Sequence, residues 1–404
     1  MIDKIKNRMK KVKIIFSGWI NAPNGAARFV LGLKKCANDF AEQGVRLSIF
    51  TLDDVYGEVR KFSDYEKIKK RASLKDRLMR YAKYSHLMTY IMIYFSGLAN
   101  SKRILKAFEE SKGSEQPDIF HFQDLFTCYY YLNHRRDKNI LVYLTLHSNG
   151  SLWSMHEEYY PLFRSWIFGF MKRRIEDVVL NRVDKVNFVA DFPRRNFCHL
   201  YPNISSQKTS FVYNGIPDIE GGSKCISSTN QTRLVCVGTL CNRKNQIGIL
   251  HALSKLTSEQ QKYFSVTFVG DGPSRNALEK VAATLSADIY FAGNSNQVND
   301  YLTNSDAFIL FSKDEGLPIS IIEAMRCGLP IISTRIAGIP EMIVEGISGY
   351  LVDADERQLS ELFEKILIDR PDFVKMGEKS RIIYEDKFSQ KAMILSYAKL
   401  WQKG

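Results

Sequence analysis

Two glutamates in the second half of the chain have the type and setting to bind a phosphorylated sugar. Glu315 and Glu323 lie eight residues apart across a turn from a strand into a helix, and the helix is predicted to begin at Pro318. Amides at the start of a helix, with the positive end of its dipole, form a seat for phosphate oxygens. Glu315 would face sugar hydroxyls, and Glu323 would accept hydrogen bonds from ribose hydroxyls. The residues predicted to line this seat are Gly316, Leu317, Ile319 and Ser320.

The setting of this pair, more than its spacing, supports the prediction. Glutamates eight residues apart also occur at 58 and 66 and at 356 and 364. Only the pair at 315 and 323 follows the carboxyl end of a strand, where parallel sheets place ligands. The alternative interpretation is one exposed loop acid and one acid on a helix surface.

Arg243 and Lys244 form a second candidate element, between a strand-like run and a helix that Asn245 would cap. Fixed positive charge at that turn would neutralise a departing diphosphate without a metal ion, each contact contributing about 1.5–3 kcal/mol. A solvent-facing pair of cations is the alternative. An Asp-x-Asp motif at 353–355, a signature of metal-dependent transferases of another fold, is predicted to be a helix N-cap instead. No metal site is therefore predicted.

Two series of strand-like runs, each followed by a helix-length segment, would position these residues. The runs lie at 12–16, 45–51, 119–122, 141–146, 186–189 and 210–213, and then at 234–238, 265–270, 289–292, 307–311, 330–333 and 349–352. One helix is predicted over 26–43. This alternation is typical of doubly wound parallel sheets. The predicted fold class is therefore α/β, with two Rossmann-like domains facing a cleft.

Composition gives the predicted domain boundaries. Residues 1–214 would form the first domain, and the polar segment 215–231 a linker. Residues 232–385 would form the second domain, and 386–404 would form a helix that packs back on the first domain. A length of 404 residues fits two domains of ordinary size.

The second half resembles the retaining glycosyltransferases of family four, which have the GT-B fold. The family's Glu-x7-Glu motif runs on into Glu-Ala-Met-x-x-Gly-x-Pro, as residues 315–330 do. The other matching elements are Asn214-Gly215-Ile216-Pro217, Gly270-Asp271-Gly272-Pro273 and Ala337-Gly338-Ile339-Pro340-Glu341. The resemblance covers most of residues 210–352. Lys244 matches the family's lysine, whereas Thr239 stands where the family usually carries arginine, so Arg243 would substitute for it.

The resemblance also assigns glycines and a histidine at strand ends. Gly238, Gly270 and Gly272 would belong to the donor site, although tight turns alone also explain them. In the first half, Gly25 resembles the family's N-terminal glycine loop. His147, which follows the run at 141–146, corresponds to a histidine that the family places near the acceptor and the donor sugar. The list of predicted residues is completed by His121, which is predicted to be structural.

The resemblance implies a glycosyltransferase that acts with retention and uses a nucleotide-diphosphate sugar as co-substrate, with no cofactor. It also implies that residues 1–214 bind the acceptor and that residues 232–385 bind the nucleotide sugar. The expected acceptor is a glycan or a polyprenyl-linked glycan, in the biosynthesis of a surface polysaccharide such as a capsule. Two alternatives remain, a nucleotide-sugar epimerase of the same architecture and a noncatalytic scaffold that binds membrane or carbohydrate. A dinucleotide-dependent oxidoreductase is disfavoured, because Gly-x-Gly-x-x-Gly is missing after the first strand-like run.

Charge is concentrated in the first half. Residues 1–214 hold 36 Lys and Arg against 21 Asp and Glu, and the remaining residues hold 21 against 23. A basic surface suits an anionic partner such as a membrane or a polyprenyl phosphate, and a merely solvated face is the alternative. Segments 60–106 and 159–174 mix basic with apolar residues, as membrane-surface segments do. No RNP-like or KH-like motif is present, so no nucleic-acid partner is expected.

Cysteine usage and hydropathy give the expected location. The seven cysteines are scattered, and no apolar run reaches the roughly 20 residues of a membrane span. The short apolar run after the basic N-terminus reads as a strand and not as an export signal. The prediction is a cytoplasmic protein with reduced thiols, and peripheral attachment to the inner face of the membrane stays open.

Overall fold

The chain forms two compact units. The computed structural model describes residues 9–22, 25–57, 84–111, 116–135, 137–219 and 231–403. One unit contains residues 1–212 and 393–404, and the other contains residues 213–392. The sequence prediction places the boundaries at 214 and 385, and residues 220–230 of the predicted linker lie outside the described part. The cysteines that are described are all free thiols.

The first unit contains a six-stranded parallel sheet in the order β2-β1-β3-β4-β5-β6. Its strands are β1 Lys10–Phe16, β2 Val45–Thr51, β3 Ile119–Phe122, β4 Leu141–Leu146, β5 Lys185–Phe188 and β6 Thr209–Phe211. The inner strands are buried along almost their whole length, as expected for a parallel sheet covered on both faces. The strand order reverses between β1 and β3, so their carboxyl ends border a crevice.

Helices pack on this sheet, and one of them differs from the prediction. The described α-helices of the first unit are α1 Gly25–Lys35, α2 Ala37–Glu42, α3 Leu52–Tyr56, α4 His86–Tyr90, α5 Ser96–Glu110, α6 Leu125–His134, α7 Ser154–Tyr159, α8 Gly169–Arg182 and α9 Asp191–Leu200. The prediction of one helix over 26–43 is wrong, because the chain turns at Cys36. The Cys36 amide bonds to the carbonyl of Leu33, three residues back, at 3.1 Å, which tightens the chain into a turn.

The second unit contains another six-stranded parallel sheet, in the order β12-β11-β10-β7-β8-β9. Its strands are β7 Thr232–Val237, β8 Phe264–Val269, β9 Asp288–Gly293, β10 Ala307–Leu310, β11 Ile331–Thr334 and β12 Gly349–Val352. Its described α-helices are α10 Gln246–Ser254, α11 Ser258–Gln261, α12 Arg275–Ala282, α13 Val298–Thr303, α14 Ile319–Arg326, α15 Glu356–Asp369 and α16 Phe373–Ile383. The strand order reverses between β7 and β10. As predicted, Asp355 caps α15, because its carboxylate accepts from the Arg357 amide at 2.8 Å.

The last helix, α17 Gln390–Gln402, contributes its final turns to the core of the first unit. Trp401 is fully buried, and its indole Nε1 donates to His121 Nδ1 at 3.1 Å. Since tryptophan only donates, His121 carries its proton on Nε2, which donates to Thr145 Oγ1 at 2.7 Å. Burial lowers the pKa of His121 to about 3, and the charge of nearby His147 adds to this. His121 is therefore a neutral core residue.

Gly270 allows β7 and β8 to end close together, and we expect Gly270→Ala to destabilise the second unit. The Gly270 φ is +140°, and a Cβ there would lie 2.1 Å from the Gly238 carbonyl oxygen. Strain and overpacking together should lower the free energy of unfolding by roughly 2–4 kcal/mol. Chemical denaturation measures the change. Gly32→Ala is the control, because an added Cβ at this position in α1 would meet open space. It should change stability by no more than about 1 kcal/mol.

Candidate functional site

Three predicted residues meet beyond the carboxyl ends of β7 and β10, where the strand order of the second sheet reverses. Lys244 Nζ lies 2.6 Å from Glu315 Oε1, and Arg243 Nη1 lies 3.1 Å from Glu315 Oε2. The two cations come from the loop after β7, and the glutamate comes from the loop after β10, 71 residues later. The two separately predicted elements are therefore one cluster, at the position where doubly wound folds bind ligands.

The Glu315 carboxylate is the centre of this cluster. Its side chain is only 7% exposed, and Ser312 Oγ donates to Oε1 at 2.8 Å. Burial acts to raise the pKa of Glu315, but the charges of Lys244 and Arg243 outweigh it and hold the pKa below its usual value. The carboxylate is therefore ionised at neutral pH. Two cations against one carboxylate leave the cluster with a net positive charge, which suits an anionic ligand.

Helix α14 begins directly after this cluster, one residue later than predicted. Pro318 has φ −72° and ψ 116°, so it is the extended N-cap residue and not the first helical residue. The proline ring sets φ and leaves ψ free, so the sequence did not distinguish the N-cap position from the first helical position. The amides of Ile319 and Ser320 are the first two of the helix, which places them at the positive end of its dipole.

The other predicted donor-site residues lie in the same unit. Gly316 and Leu317 continue the loop from Glu315 into α14, and Glu323 lies in the second turn of that helix, half-buried. A Cβ on Gly238 would lie 3.6 Å from Lys244 Cε, and a Cβ on Gly272 would lie 2.3 Å from the Leu240 carbonyl oxygen. The glycines therefore border the loop that carries both cations. The roles assigned to all these residues stay predictions.

Asn245 occupies the N-cap position of α10, but its side chain does not cap the helix, contrary to the prediction. Its backbone has φ +52°, and its side chain makes no capping hydrogen bond. Asparagine tolerates this left-handed conformation better than most residues. The turn at Asn245 therefore ends the loop that carries Arg243 and Lys244 before α10 begins.

His147 and Gly25 belong to the first unit. His147 follows β4, and its Nε2 lies 3.0 Å from Gln123 Oε1, in the residue that follows β3. Burial lowers the pKa of His147 to about 4, so the ring is neutral at physiological pH and acts as a hydrogen-bonding group. Gly25 is the exposed first residue of α1, and a Cβ there would meet open space. The structure therefore shows no steric requirement for glycine at position 25.

Sequence reasoning missed Gln123 and Ser312, the hydrogen-bonding partners of two predicted residues. Each of the two residues follows a buried strand that borders a crevice. A polar residue at that position was the sequence signal that could have identified them. Gln123 is 5% exposed, and its Nε2 has no hydrogen-bond partner among the described residues. Close by in the chain, Asp124 accepts from Ser17 Oγ at 2.8 Å, which links the loops after β3 and β1. These polar groups form the crevice edge of the first sheet.

Three buried histidines should make the first unit sensitive to acid. The pKa of His121 is lowered to about 3, and burial lowers those of His147 and His156 to about 4. Unfolding raises these values to about 6.5, so the unfolded chain binds more protons between pH 6.5 and 4. Stability should therefore be fully present above pH 6.5 and fall with pH, by up to about 1.4 kcal/mol per pH unit for each histidine. In denaturation measured from pH 7 to about 4.5, the free energy of unfolding should fall less steeply with pH in His147→Gln than in the parent. An unchanged slope would contradict the lowered pKa of His147.

Comparisons with known proteins agree with this arrangement. The model for Glycosyltransferase Family 4 matches residues 23–218, and the model for Glycosyl transferases group 1 matches residues 224–382. N-acetyl-alpha-D-glucosaminyl L-malate synthase of Bacillus anthracis is 27% identical over 177 residues, 43% of this chain and 46% of that protein. The O-antigen biosynthesis glycosyltransferase WclY of Escherichia coli is 23% identical over 215 residues, 51% and 59% of the two chains. The chain thus spans about half the length of the curated relatives it matches.

A solved structure shows the likeness in fold. HepE of Anabaena, crystallised with UDP, superposes with a TM-score of 0.67 over 98% of this chain and 100% of that chain. The two sequences are 14% identical, so this comparison concerns the fold alone. In this chain that fold consists of two six-stranded parallel sheets, one in each unit.

Proposed function

Because the chain belongs to the GT-B glycosyltransferases, we propose that it transfers a sugar from a nucleoside-diphosphate sugar to a glycan or lipid-linked acceptor. In this chain a family 4 segment is followed by a group 1 segment. Relatives in O-antigen and amylovoran biosynthesis support surface polysaccharide as the product class. HepE was crystallised with UDP and with UDP-glucose, so a UDP-sugar is the first donor to test.

The cluster of Arg243, Lys244 and Glu315 is the observation that carries the proposal. As the bond between the anomeric carbon and the diphosphate oxygen breaks, negative charge grows on the leaving group. Lys244 and Arg243 would stabilise that charge, together with the amides of Ile319 and Ser320, so the proposed transfer requires no metal ion. Glu315 would then release the cations and accept hydrogen bonds from the donor sugar.

His147, with Gln123, is proposed to bind a sugar hydroxyl. Its ring is neutral at physiological pH, so it would orient the sugar by hydrogen bonding and would not carry a charge. We propose retention of the anomeric configuration on the family resemblance. Product analysis by proton NMR, which distinguishes the two anomers, tests this part separately.

A thermal-shift screen of nucleoside diphosphates and their sugars tests donor binding. A ligand at 100 times its Kd stabilises the folded protein by about 2.7 kcal/mol, which for a unit of this size is several degrees in Tm. We expect one nucleotide to raise Tm in this way, and the rise to be smaller in Lys244→Met, which lacks one of the two cations. Absence of a shift with every nucleoside diphosphate would contradict the proposal.

Acceptor dependence separates transfer from the alternative activity of an epimerase. An epimerase converts a nucleotide sugar without any acceptor and keeps the nucleotide attached. We expect UDP to appear only when a glycan acceptor is present. Conversion of UDP-sugar to its epimer in the absence of acceptor would favour the alternative.

A further inference from the structure

The surface around Trp166 in the first unit exposes large apolar side chains. Trp166 is 89% exposed and Phe170 is 73% exposed, and Ile167 between them is also exposed. They lie in the 3-10 turn Trp166–Phe168 and in the first turn of α8. Soluble proteins expose single apolar residues often, but several adjacent ones mark an interaction site. We define Trp166, Ile167 and Phe170 as the aromatic patch.

The patch rests on a packed base, so its side chains are held outward. Phe163 and Phe168, on either side of Trp166 in the chain, are buried, with ring centroids 5.0 Å apart. The Phe168 ring also stacks on His86 of α4, at 6.0 Å. The next residue of α4, Leu87, is 68% exposed and extends the apolar surface. Two separate segments of the chain thus contribute to one surface.

Arginines flank the patch. Phe170, Arg173 and Arg174 are three and four residues apart in α8, which puts them on one helix face. The Arg173 guanidinium lies 3.8 Å from the position that a Cβ on Gly169 would take, so it reaches back toward the patch. Arg164, in the preceding turn, has a side chain that is 71% exposed, and its Nε lies 4.0 Å from Glu157 Oε2, so Arg173 and Arg174 carry the charge argument. The surface therefore combines apolar side chains with positive charge.

We propose that the aromatic patch docks on an anionic lipid bilayer. Tryptophan and phenylalanine insert at the boundary of headgroups and acyl chains, while each nearby arginine adds roughly five-fold to binding at an anionic surface. A second copy of the chain is a poorer occupant. Residues 1–214 carry an excess of 15 positive charges, so the same residues of two copies would repel each other. Aliphatic Ile167 and Leu87 suit acyl chains and cannot stack on bases, which disfavours RNA.

Two segments are predicted from the sequence to face a membrane, 60–106 and 159–174, and residues 60–83 of the first lie outside the described part. The second segment contains the whole aromatic patch. No helix among the described residues is long and apolar enough to cross a membrane. The inference is docking on the surface of a bilayer, and it does not depend on the proposed transfer reaction.

Vesicle flotation tests the proposal with the full chain. We expect it to float with vesicles of phosphatidylcholine and phosphatidylglycerol but not with pure phosphatidylcholine. The double variant W166S/F170S should lower the partition coefficient at least about ten-fold. Ile368→Ser, which removes a 79% exposed apolar side chain from α15 of the second unit, is the matched control and should bind as the parent does.

Two further readouts decide the result. Because the patch is exposed, W166S/F170S should keep the parent Tm and the parent thermal shift with nucleoside diphosphates, which separates docking from donor binding. Failure of the parent to float with anionic vesicles, or equal flotation of parent and W166S/F170S, would overturn the proposal. A concentration-dependent dimer in light scattering that W166S/F170S abolishes, without flotation of the parent, would assign the patch to a second copy instead.

Discussion

Replacement of Lys244 by methionine is expected to reduce sugar transfer at saturating donor by at least about 100-fold, because it removes a cation from the site of the leaving diphosphate. Methionine keeps most of the side-chain length, so the packing beside Gly238 changes little. The loss should appear mainly in kcat, since charge on the diphosphate is greatest as the bond breaks. Initial rates measured with a radiolabelled donor sugar provide the comparison.

A neighbouring lysine supplies the control for this prediction. Lys313 is exposed in the loop after β10, and its Nζ lies 3.4 Å from Asn242 Oδ1, whereas the Glu315 carboxylate pairs with Arg243 and Lys244. Lys313→Met removes the same charge close to the site and should leave kcat within about three-fold, since exposed charges are screened. Equal losses in both lysine variants would show that net charge, and not the contact with Glu315, sets the rate.

Destabilisation has to be separated from the loss of chemistry in the Lys244 variant. Lys244→Met leaves the buried Glu315 carboxylate with Arg243 and Ser312 as partners, and removing one member of a buried ion pair can cost about 3–5 kcal/mol. The double variant K244M/E315Q removes both charges and should recover part of the lost Tm. It should recover none of the lost kcat, because no cation returns to the diphosphate. Recovery of rate together with Tm would place Lys244 in a structural role.

The strands were predictable because buried parallel strands are short continuous apolar runs. Four of them, β2, β3, β4 and β12, have the bounds that the sequence predicts, and the others differ by one or two residues at one or both ends. The break at Cys36 was not predictable, since the apolar periodicity of α1 and α2 continues through it. The backbone conformation of Pro318 was ambiguous for a related reason, because proline suits the N-cap position and the first helical position alike.

The site was predictable only in its parts. Strand order decides which loops meet, and the sequence does not state that β7 lies beside β10. The contact between Lys244 and Glu315 joins residues 71 apart, and it depends on that order. Sequence reasoning assigned the cations to diphosphate and the acid to sugar, whereas the structure shows them bound to each other. Gln123 was missed because its significance lies in its contact with His147, on the neighbouring strand.

The Glu315→Gln variant should show two opposite effects because of this ion cluster. It should bind free nucleoside diphosphate more tightly and transfer sugar more slowly. The carboxylate occupies both cations when no ligand is bound, so a diphosphate must displace it and meets its negative charge. Glutamine keeps the shape and a hydrogen bond to Ser312 but removes that competition. We expect affinity for UDP to rise roughly three- to ten-fold, the size of one charge interaction near a surface.

The rate of transfer should fall in the same variant by about 100-fold or more, since a neutral amide is a weaker acceptor for the sugar hydroxyls that Glu315 is proposed to hold. Calorimetry with UDP and initial rates with the donor sugar measure the two effects on one preparation. Glu345→Gln, at an exposed pair with Arg335, should change neither quantity. Weaker binding of UDP by Glu315→Gln would mean that the carboxylate holds Arg243 and Lys244 in place for the diphosphate and does not compete with it.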